Sequence, residues 1–220
     1  MSWTFLALFD LVGTIAFAIS GALVGIKKGM DIFGVNVLAI TTACGGGFIR
    51  DLIVNSTPPN MFQNPVYVGL AALVANLVFG SMYLKKASAS PKGLLSAKML
   101  FWMDTLGLAA FTVDGVIIGY QAGYTNQIFL PTFLGLMTGV GGGALRDIMA
   151  NQMPDIFQKH IYAVSSLIGG LGMTILFRVY SQEVSMVCGF LIVICMRWLA
   201  AHFKWNLPHA PKEEAFNTLM

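Results

Sequence analysis

The segment GGGFIRD at residues 45–51 recurs as GGGALRD at residues 141–147, and this duplication constrains the fold more than any other feature of the sequence. Two further segments are repeated in the same order. DLVGTIAFAISG (10–21) aligns with DTLGLAAFTVDG (104–115), and PNMFQNPVY (59–67) resembles PDIFQKHIY (154–162). Such self-similarity indicates copies of one structural unit, so the chain is predicted to fold as two related halves.

Each copy contains three apolar stretches that are long enough to cross a bilayer, which takes about 20 helical residues. The predicted spans are residues 4–25, 33–54 and 66–84 in the first copy, 97–119, 128–150 and 161–179 in the second, and 185–203 after both. The chain is 56% hydrophobic and only 10% charged, whereas soluble domains carry about 25% charged residues. The sequence therefore predicts an all-α integral membrane protein with seven transmembrane helices.

These helices are predicted to form a single transmembrane domain over residues 1–220. Its parts are repeat 1 (4–84), repeat 2 (97–179), the seventh helix (185–203) and a short cytoplasmic tail (204–220). Because three is an odd number, the second copy enters the membrane from the opposite face. The halves are then related by a pseudo-two-fold axis in the membrane plane. This architecture belongs to transporters and some channels, with ligand sites near the midplane on broken helices.

Lysine and arginine residues predict the orientation, because they accumulate in cytoplasmic loops. Ten of them fall on one side of the predicted spans: Lys27, Lys28, Lys85, Lys86, Lys92, Lys98, Lys159, Arg197, Lys204 and Lys212. Arg178 alone falls on the other side, and Arg50 and Arg146 lie within spans. The N-terminus is therefore predicted outside and the C-terminus in the cytoplasm.

The glycine triplets lie inside the second and fifth spans, where each glycine costs about 1 kcal/mol relative to alanine. They predict a kink or an unwound turn, whose free carbonyls suit a cation and whose free N–H groups suit an anion. Broken backbone at this depth must be buried in protein or line a wet cavity. The alternative is close helix packing without ion contact. The candidate pore-lining and ion-binding residues are Gly45, Gly46, Gly47, Gly141, Gly142 and Gly143.

An arginine follows each triplet by three residues, and charges at membrane depth usually face a cavity or a partner. Depth predicts the partners: Asp10 lies in the same half of the membrane as Arg50, and Asp104 in the same half as Arg146. We expect two symmetry-related charge clusters, one on each side of the glycine breaks. The alternative is a purely structural role, in which paired ions hold the helices together.

Three further aspartates are candidates for the pore or its gating. Asp51 and Asp147 follow the arginines directly, but neighbouring side chains diverge by about 100° on a helix, so they are not expected to pair with them. Asp114 has Ser20 as its mate in the repeat and therefore breaks the symmetry. It is expected to add a negative charge to one vestibule.

The sequence offers no support for an enzyme. It contains no GxxxxGK[ST] loop for nucleotide phosphates, and no Ser-His-Asp, HExxH or paired-cysteine arrangement. Cys44, Cys188 and Cys195 lie in apolar stretches without CxxC spacing and are expected to be buried hydrophobes. We predict no metal site and no cofactor, and no nucleic acid as a partner.

Seven spans, with inverted three-span repeats that each carry GGGxxRD, resemble the TRIC family of trimeric intracellular cation channels over about residues 5–203. The resemblance implies a homotrimer in membrane lipid, with an hourglass pore through each subunit that conducts chiefly potassium past kinked second and fifth helices. It places the kinks at the two glycine triplets, with Arg50, Asp51, Arg146 and Asp147 as associated charges. The short tail, and the absence of the Lys-Glu-Val element of animal members, favour a prokaryotic member in the plasma membrane.

A second function stays open at this point. The same half-repeat is also described as a glycine-transporter domain. A small zwitterion such as glycine suits a broken-helix site, because its carboxylate can meet helix N-termini. Its ammonium group can then meet backbone carbonyls or Asp114. The sequence does not separate a channel from such a secondary transporter.

Overall fold

The computed structural model describes residues 3–86, 97–158 and 161–205. Within these ranges all regular structure is helical. The helices are α1 (Trp3–Lys27), α2 (Ile32–Ile53), α3 (Asn60–Gln63), α4 (Val66–Lys86), α5 (Ala97–Gln121), α6 (Phe129–Met149), α7 (Asp155–Gln158), α8 (Tyr162–Leu176) and α9 (Gln182–His202). The short helices α3 and α7 occupy equivalent places in the two repeats. The predictions for Lys92, Lys159, Lys212 and most of the tail lie outside the described residues.

Seven long helices coincide with the predicted spans, but only five are long and apolar enough to cross a membrane by length and composition. These five are α1, α2, α4, α5 and α9. Helix α6 is less apolar because it carries a proline, five glycines and the Arg-Asp pair, and α8 has only 15 residues. A seven-span topology therefore stays a prediction.

The repeat is visible in how the helices end. Helices α1 and α5 both end before a glycine with positive φ, Gly29 at 72° and Gly123 at 94°. In each case the next residue donates its N–H to a carbonyl five residues back, from Met30 to Gly25 and from Tyr124 to Gly119. This is the bond of a Schellman cap, which needs a left-handed residue and so favours glycine. The two halves thus use one local design.

Four helices form the centre of the molecule: α1 packs on α2 and α5, and α6 packs on α2 and α5. Helix α4 covers α1 and α2, while α8 covers α5 and α6, which is the arrangement expected of two repeats. Helix α9 packs on α5 and α8. Large apolar side chains are exposed on the outer helices, for example Leu77 at 64% on α4 and Leu191 at 50% on α9, as expected for a surface that faces lipid.

The glycine triplets lie where α2 crosses α6. Both helices are continuous through the triplets, so the expectation of an unwound turn is wrong, and a kink stays a prediction. A Cβ atom at Gly46 would overlap the carbonyl oxygen of Thr138, and one at Gly142 would overlap that of Thr42. The missing side chains let the two backbones touch, as small residues do in membrane bundles. Close packing, the alternative to an ion pathway through broken helices, accounts for these two glycines.

Candidate functional site

Arg50, in the last turn of α2, is the centre of an ion cluster. Its Nε and Nη2 atoms donate to Oδ1 of Asp51 at 2.9 and 2.8 Å, and its Nη1 donates to Oδ2 of Asp114 on α5. Asp10 on α1 lies beside Asp114 and within electrostatic range of Arg50. The hydroxyl of Tyr67 on α4 donates to Asp10 at 3.5 Å. These five residues are called the Arg50 cluster below.

Arg146, in the last turn of α6, is the centre of the equivalent cluster. Its Nε donates to Oδ1 of Asp147 at 2.8 Å. Its Nη1 donates to Oδ1 of Asp104 at 2.6 Å and to the Ser20 hydroxyl at 2.5 Å. Tyr162 on α8, the repeat mate of Tyr67, is the fifth member. These residues, called the Arg146 cluster, are all at most 3% exposed.

The predicted pairing of Arg146 with Asp104 is confirmed, but that of Arg50 with Asp10 is wrong. The direct partner of Arg50 from another helix is Asp114, and Asp10 stands next to Asp114. Depth along the membrane did not distinguish the two carboxylates. The choice is made by which helix faces the guanidinium, and that is a matter of packing.

The expectation that Asp51 and Asp147 would not pair with their neighbouring arginines is also wrong. Their Cα–Cβ bonds do diverge, but an arginine side chain is long enough to fold back along the helix end. Its planar fork then meets the carboxylate of the next residue. Both pairs form in the same way, which shows that the fold-back belongs to the repeat.

The second oxygen of each of these aspartates serves the neighbouring short helix. Oδ2 of Asp51 accepts the N–H of Asn60, the first residue of α3, at 2.8 Å. Oδ2 of Asp147 accepts the N–H of Asp155, the first residue of α7, at 2.9 Å. Each carboxylate therefore joins an arginine to the chain that returns after the long helix.

An asparagine shared by both motifs ends the long helices. Asn55 and Asn151 have φ values of 57° and 49°, in the left-handed region that asparagine tolerates better than most residues. The turn that follows directs the chain back, with Ser56 N–H bound to the Asp51 carbonyl at 2.8 Å and Gln152 N–H to that of Asp147 at 3.0 Å. The asparagine thus has a backbone role.

The arginine clusters cross between the repeats. Arg50 belongs to repeat 1 and reaches Asp114 in repeat 2, whereas Arg146 belongs to repeat 2 and reaches Ser20 in repeat 1. Asp114 and Ser20 are mates in the aligned segments, so the two contacts are equivalent in position and different in charge. The asymmetry expected at Asp114 is therefore a difference in charge between the groups that contact the two arginines.

A cavity of about 490 Å³ opens at the Arg50 cluster. All five residues of the cluster line it. Other lining residues include Thr14, Cys44, Gly47, Phe48, Phe111, Ile118 and Gln121, together with Ser56, Asn60, Gln63 and Asn64 of the returning chain. Of the six glycines proposed for the pore, Gly47 alone lines this cavity. A Cβ atom at its mate Gly143 would lie 2.9 Å from the Tyr162 hydroxyl, so Gly143 borders the Arg146 cluster.

Two phenylalanines separate the clusters. Asp10 and Ser20 are ten residues apart on α1, and Asp104 and Asp114 are ten apart on α5, which corresponds to about 15 Å along each helix. Phe17 and Phe111 occupy the intervening turns, with ring centroids 5.4 Å apart. Phe111 lines the cavity and Phe17 is fully buried. An apolar barrier therefore lies between the two charged regions.

The Arg146 cluster has an additional partner from outside the repeats. Nη2 of Arg197 on α9 lies 3.6 Å from Oδ2 of Asp104. The Arg197 guanidinium also lies over the rings of Phe101 and Tyr162, at 4.8 and 4.7 Å from their centroids. Arg197 is 3% exposed, so it does not lie in a cytoplasmic loop, where the orientation argument had counted it.

Sequence reasoning missed several residues of the site, although most were present in the aligned segments. Phe17 and Phe111 occupy equivalent positions in the aligned segments 10–21 and 104–115. Tyr67 and Tyr162 are the last residues of the aligned segments 59–67 and 154–162. An aromatic residue retained in both copies was therefore an available signal. Arg197 lies outside the repeat and carried no such signal.

Metal ligation receives no support from the described ranges, where no group of three or more His, Cys, Asp or Glu side chains could hold a metal ion. Cys44 is buried, Cys188 is partly buried and Cys195 is exposed, and all three are free thiols. The expectation that all three cysteines are buried is thus wrong for Cys195, which lies on an outer face of α9.

Several known proteins are similar to this chain over almost its whole length. The model of a family described as Glycine transporter matches residues 7–83 and 101–178, which correspond to the two repeats. The inner membrane protein YadS of the UPF0126 group from Escherichia coli is 33% identical over 201 residues, covering 90% of this chain and 93% of YadS.

Solved structures of TRIC channels share the fold. One, determined to explain conductance through TRIC cation channels, is 34% identical with a TM-score of 0.80, and the match covers 97% of this chain and 99% of the other. The TRIC trimeric intracellular cation channel orthologue from Rhodobacter sphaeroides is 29% identical with a TM-score of 0.80, over 91% of this chain and 98% of the orthologue.

Proposed function

The chain is a prokaryotic, multi-pass member of the TRIC family, and from this premise we propose that it is a monovalent cation channel, chiefly permeable to potassium. The pathway runs within one subunit. It enters the cavity at the Arg50 cluster, passes Phe17 and Phe111, and leaves beside the Arg146 cluster. The glycines of α2 and α6 hold the two helices together around this route, and Gly47 and Gly143 border it.

The observation that carries the proposal is the charge of the cavity. One guanidinium meets three carboxyl groups there, and Asp10 and Asp114 lie side by side, where like charges disfavour full ionisation, so the net charge lies between −1 and −2. A cavity lined with an excess of one charge raises the local concentration of counter-ions. Carboxylate-lined entrances are a common device of cation channels. No protein cation in the described residues lines the cavity apart from Arg50, which is itself held by two aspartates.

The conformation described here corresponds to a closed channel. Phe17 and Phe111 close the inner end of the cavity, and hydrophobic constrictions of this kind exclude water and ions. On the far side, Tyr162 and Arg197 are buried against Asp104. Conduction requires these side chains to move apart, and the continuous helices α2 and α6 provide a firm support around which they move.

The remaining expectations from the family belong to the same proposal. The protein is a homotrimer in a bacterial or archaeal plasma membrane, with seven spans, its N-terminus outside and its C-terminus in the cytoplasm. The exposed apolar faces of α4 and α9 supply surface for lipid and for neighbouring subunits. Potassium is the permeant ion, and no cofactor takes part.

A glycine carrier is less favoured. Its site requires free backbone N–H groups at a broken helix to bind the carboxylate, whereas α2 and α6 are unbroken through the glycine triplets. The solved structures that resemble the chain are described as cation channels.

Planar-bilayer recording of the purified protein tests the proposal. Unitary currents are expected in symmetric potassium chloride, with a reversal potential close to the potassium potential under a gradient. Silence in membranes that contain folded protein, together with radiolabelled glycine counterflow in liposomes, would establish the carrier instead.

A further inference from the structure

The two ends of the proposed pathway differ in charge although the scaffold around them is repeated. At the Arg50 cluster, one arginine faces three aspartates. At the Arg146 cluster, Arg146 and Arg197 face Asp104 and Asp147, so the formal charges cancel. Asp155, half-buried at the edge of this second cluster, changes the balance there to −1 at most. With its three aspartates ionised, the Arg50 end is the more negative of the two.

Asp114 and Arg197, which lie outside the GGGxxRD motif, produce the difference in charge. Asp114 and Ser20 occupy equivalent places, and each contacts the arginine of the opposite repeat. Asp114 brings a carboxylate to Arg50, whereas Ser20 brings a neutral hydroxyl to Arg146. Arg197, from the helix outside the repeats, then adds a cation to the Ser20 end alone.

We propose that the presence of Asp114 where the other repeat has Ser20 makes the channel rectify. The larger current is the one in which cations enter from the Arg50 end, and Asp114 sets its size. The inference rests on the proposed cation channel. Fixed negative charge at one entrance raises the local cation concentration there and so increases cation entry from that side. No bound ion is required, because the charge acts on the concentration of ions at the entrance.

The size of the effect follows from Coulomb's law. A unit charge about 10 Å from an ion in water changes the local ion concentration by roughly twofold. The ratio of the currents at equal and opposite voltages is therefore expected to be about 2 at low salt. Screening shortens the range of the charge from about 30 Å at 10 mM salt to about 3 Å at 1 M, so the ratio should approach 1 in concentrated potassium chloride.

Asp114→Asn removes the charge while keeping a group that can accept a hydrogen bond from Arg50. It is expected to reduce the larger current by about half at low salt and to leave the smaller current unchanged. Ser20→Asp places a carboxylate beside Arg146 and should instead raise the smaller current. Because the two variants act on opposite current directions, the second keeps the inference testable if the first does not fold.

Glu183→Gln is the matched control. Glu183 is exposed in the first turn of α9 and does not line the cavity, so its removal tests a unit charge elsewhere on the surface. Its currents should match those of the unmodified protein.

The experiment records single channels in symmetric potassium chloride at about 10 mM and about 1 M. Rectification that disappears at high salt and in Asp114→Asn supports the inference. Unitary currents that are linear at low salt, or that rectify equally in Asp114→Asn and the unmodified protein, overturn it and leave the channel proposal intact. Absence of unitary currents from folded, unmodified protein overturns the channel proposal and this inference with it.

Discussion

The Arg50 and Arg146 clusters are copies of one design used in two different ways. Each has an arginine three residues after a glycine triplet, and each arginine binds the following aspartate. The Arg50 cluster lines a cavity, and its Tyr67 is half-buried. The Arg146 cluster is buried, with Tyr162 only 2% exposed. The repeat therefore determines the scaffold, while the residues outside its motif determine whether the site is accessible.

Arg197 accounts for much of the difference. Among the described residues, the first repeat has no helix corresponding to α9, and no such helix covers the Arg50 cluster. At the other end, the Arg197 guanidinium lies across Tyr162 and reaches Asp104. An unrepeated helix can thus make two symmetric half-sites different without altering either repeat.

The largest expected effect tests the part that the two halves share. Gly46→Ala and Gly142→Ala each place a methyl group against a carbonyl oxygen of the facing helix. Because backbone atoms cannot move aside as a flexible side chain can, each variant should lose about 3 kcal/mol of stability. Melting temperature in detergent, followed by size-exclusion chromatography, measures the loss.

Gly69→Ala on α4 is the control for these variants, since a Cβ atom there meets nothing within 4 Å. It should be at least as stable as the unmodified protein, because alanine favours a helix. If Gly46→Ala or Gly142→Ala has the same melting temperature as Gly69→Ala, the close crossing of α2 and α6 is incorrect. A large loss in only one of them would contradict the equivalence of the halves.

An intermediate effect is expected from Arg197→Gln, which should alter the Arg146 cluster alone. The variant removes a cation stacked on two rings and leaves one oxygen of Asp104 without a charged neighbour. Its stability should fall by about 2 kcal/mol. Arg197→Lys keeps the charge but loses the planar stacking, so its stability should lie between those of Arg197→Gln and the unmodified protein.

Arg178→Gln serves as the comparison for Arg197, because Arg178 is exposed and donates to the Asn126 carbonyl at 3.1 Å. Thermal melting of the variants under identical conditions provides the measurement. Equal melting temperatures for Arg197→Gln and Arg178→Gln would show that α9 does not close the Arg146 cluster.

The smallest expected effect distinguishes the two tyrosines. In the described part of the chain, the buried Tyr162 hydroxyl has no hydrogen-bond partner, whereas Tyr67 donates to Asp10. Since a buried, unpaired hydroxyl is costly, Tyr162→Phe should be neutral or gain up to about 1 kcal/mol. Tyr67→Phe should lose about 0.5 kcal/mol. Chemical denaturation in detergent can compare them, and a substantial loss in Tyr162→Phe would contradict the assignment of an unpaired hydroxyl.

Much of the fold could be predicted from the sequence because its signals are strong and periodic. The apolar stretches matched the long helices to within a few residues, and the duplicated motif revealed the two halves. Those signals come from hydrophobicity and local backbone preference, which act over a few turns of helix. The broken helix was predicted wrongly because propensity assigns glycine a cost, whereas contact with another backbone can more than compensate for it.

By itself, the sequence determined the class of protein, the repeat and the identity of the charged residues. Asp10, Asp104 and Asp114 were all recognisable as charges at membrane depth, because ionised groups in an apolar chain are costly unless paired. Only the tertiary structure decided that Arg50 binds Asp114 and that Arg197 covers Tyr162. Those contacts depend on which helix faces rotate toward each other, and residues far apart along the chain set that rotation through their packing.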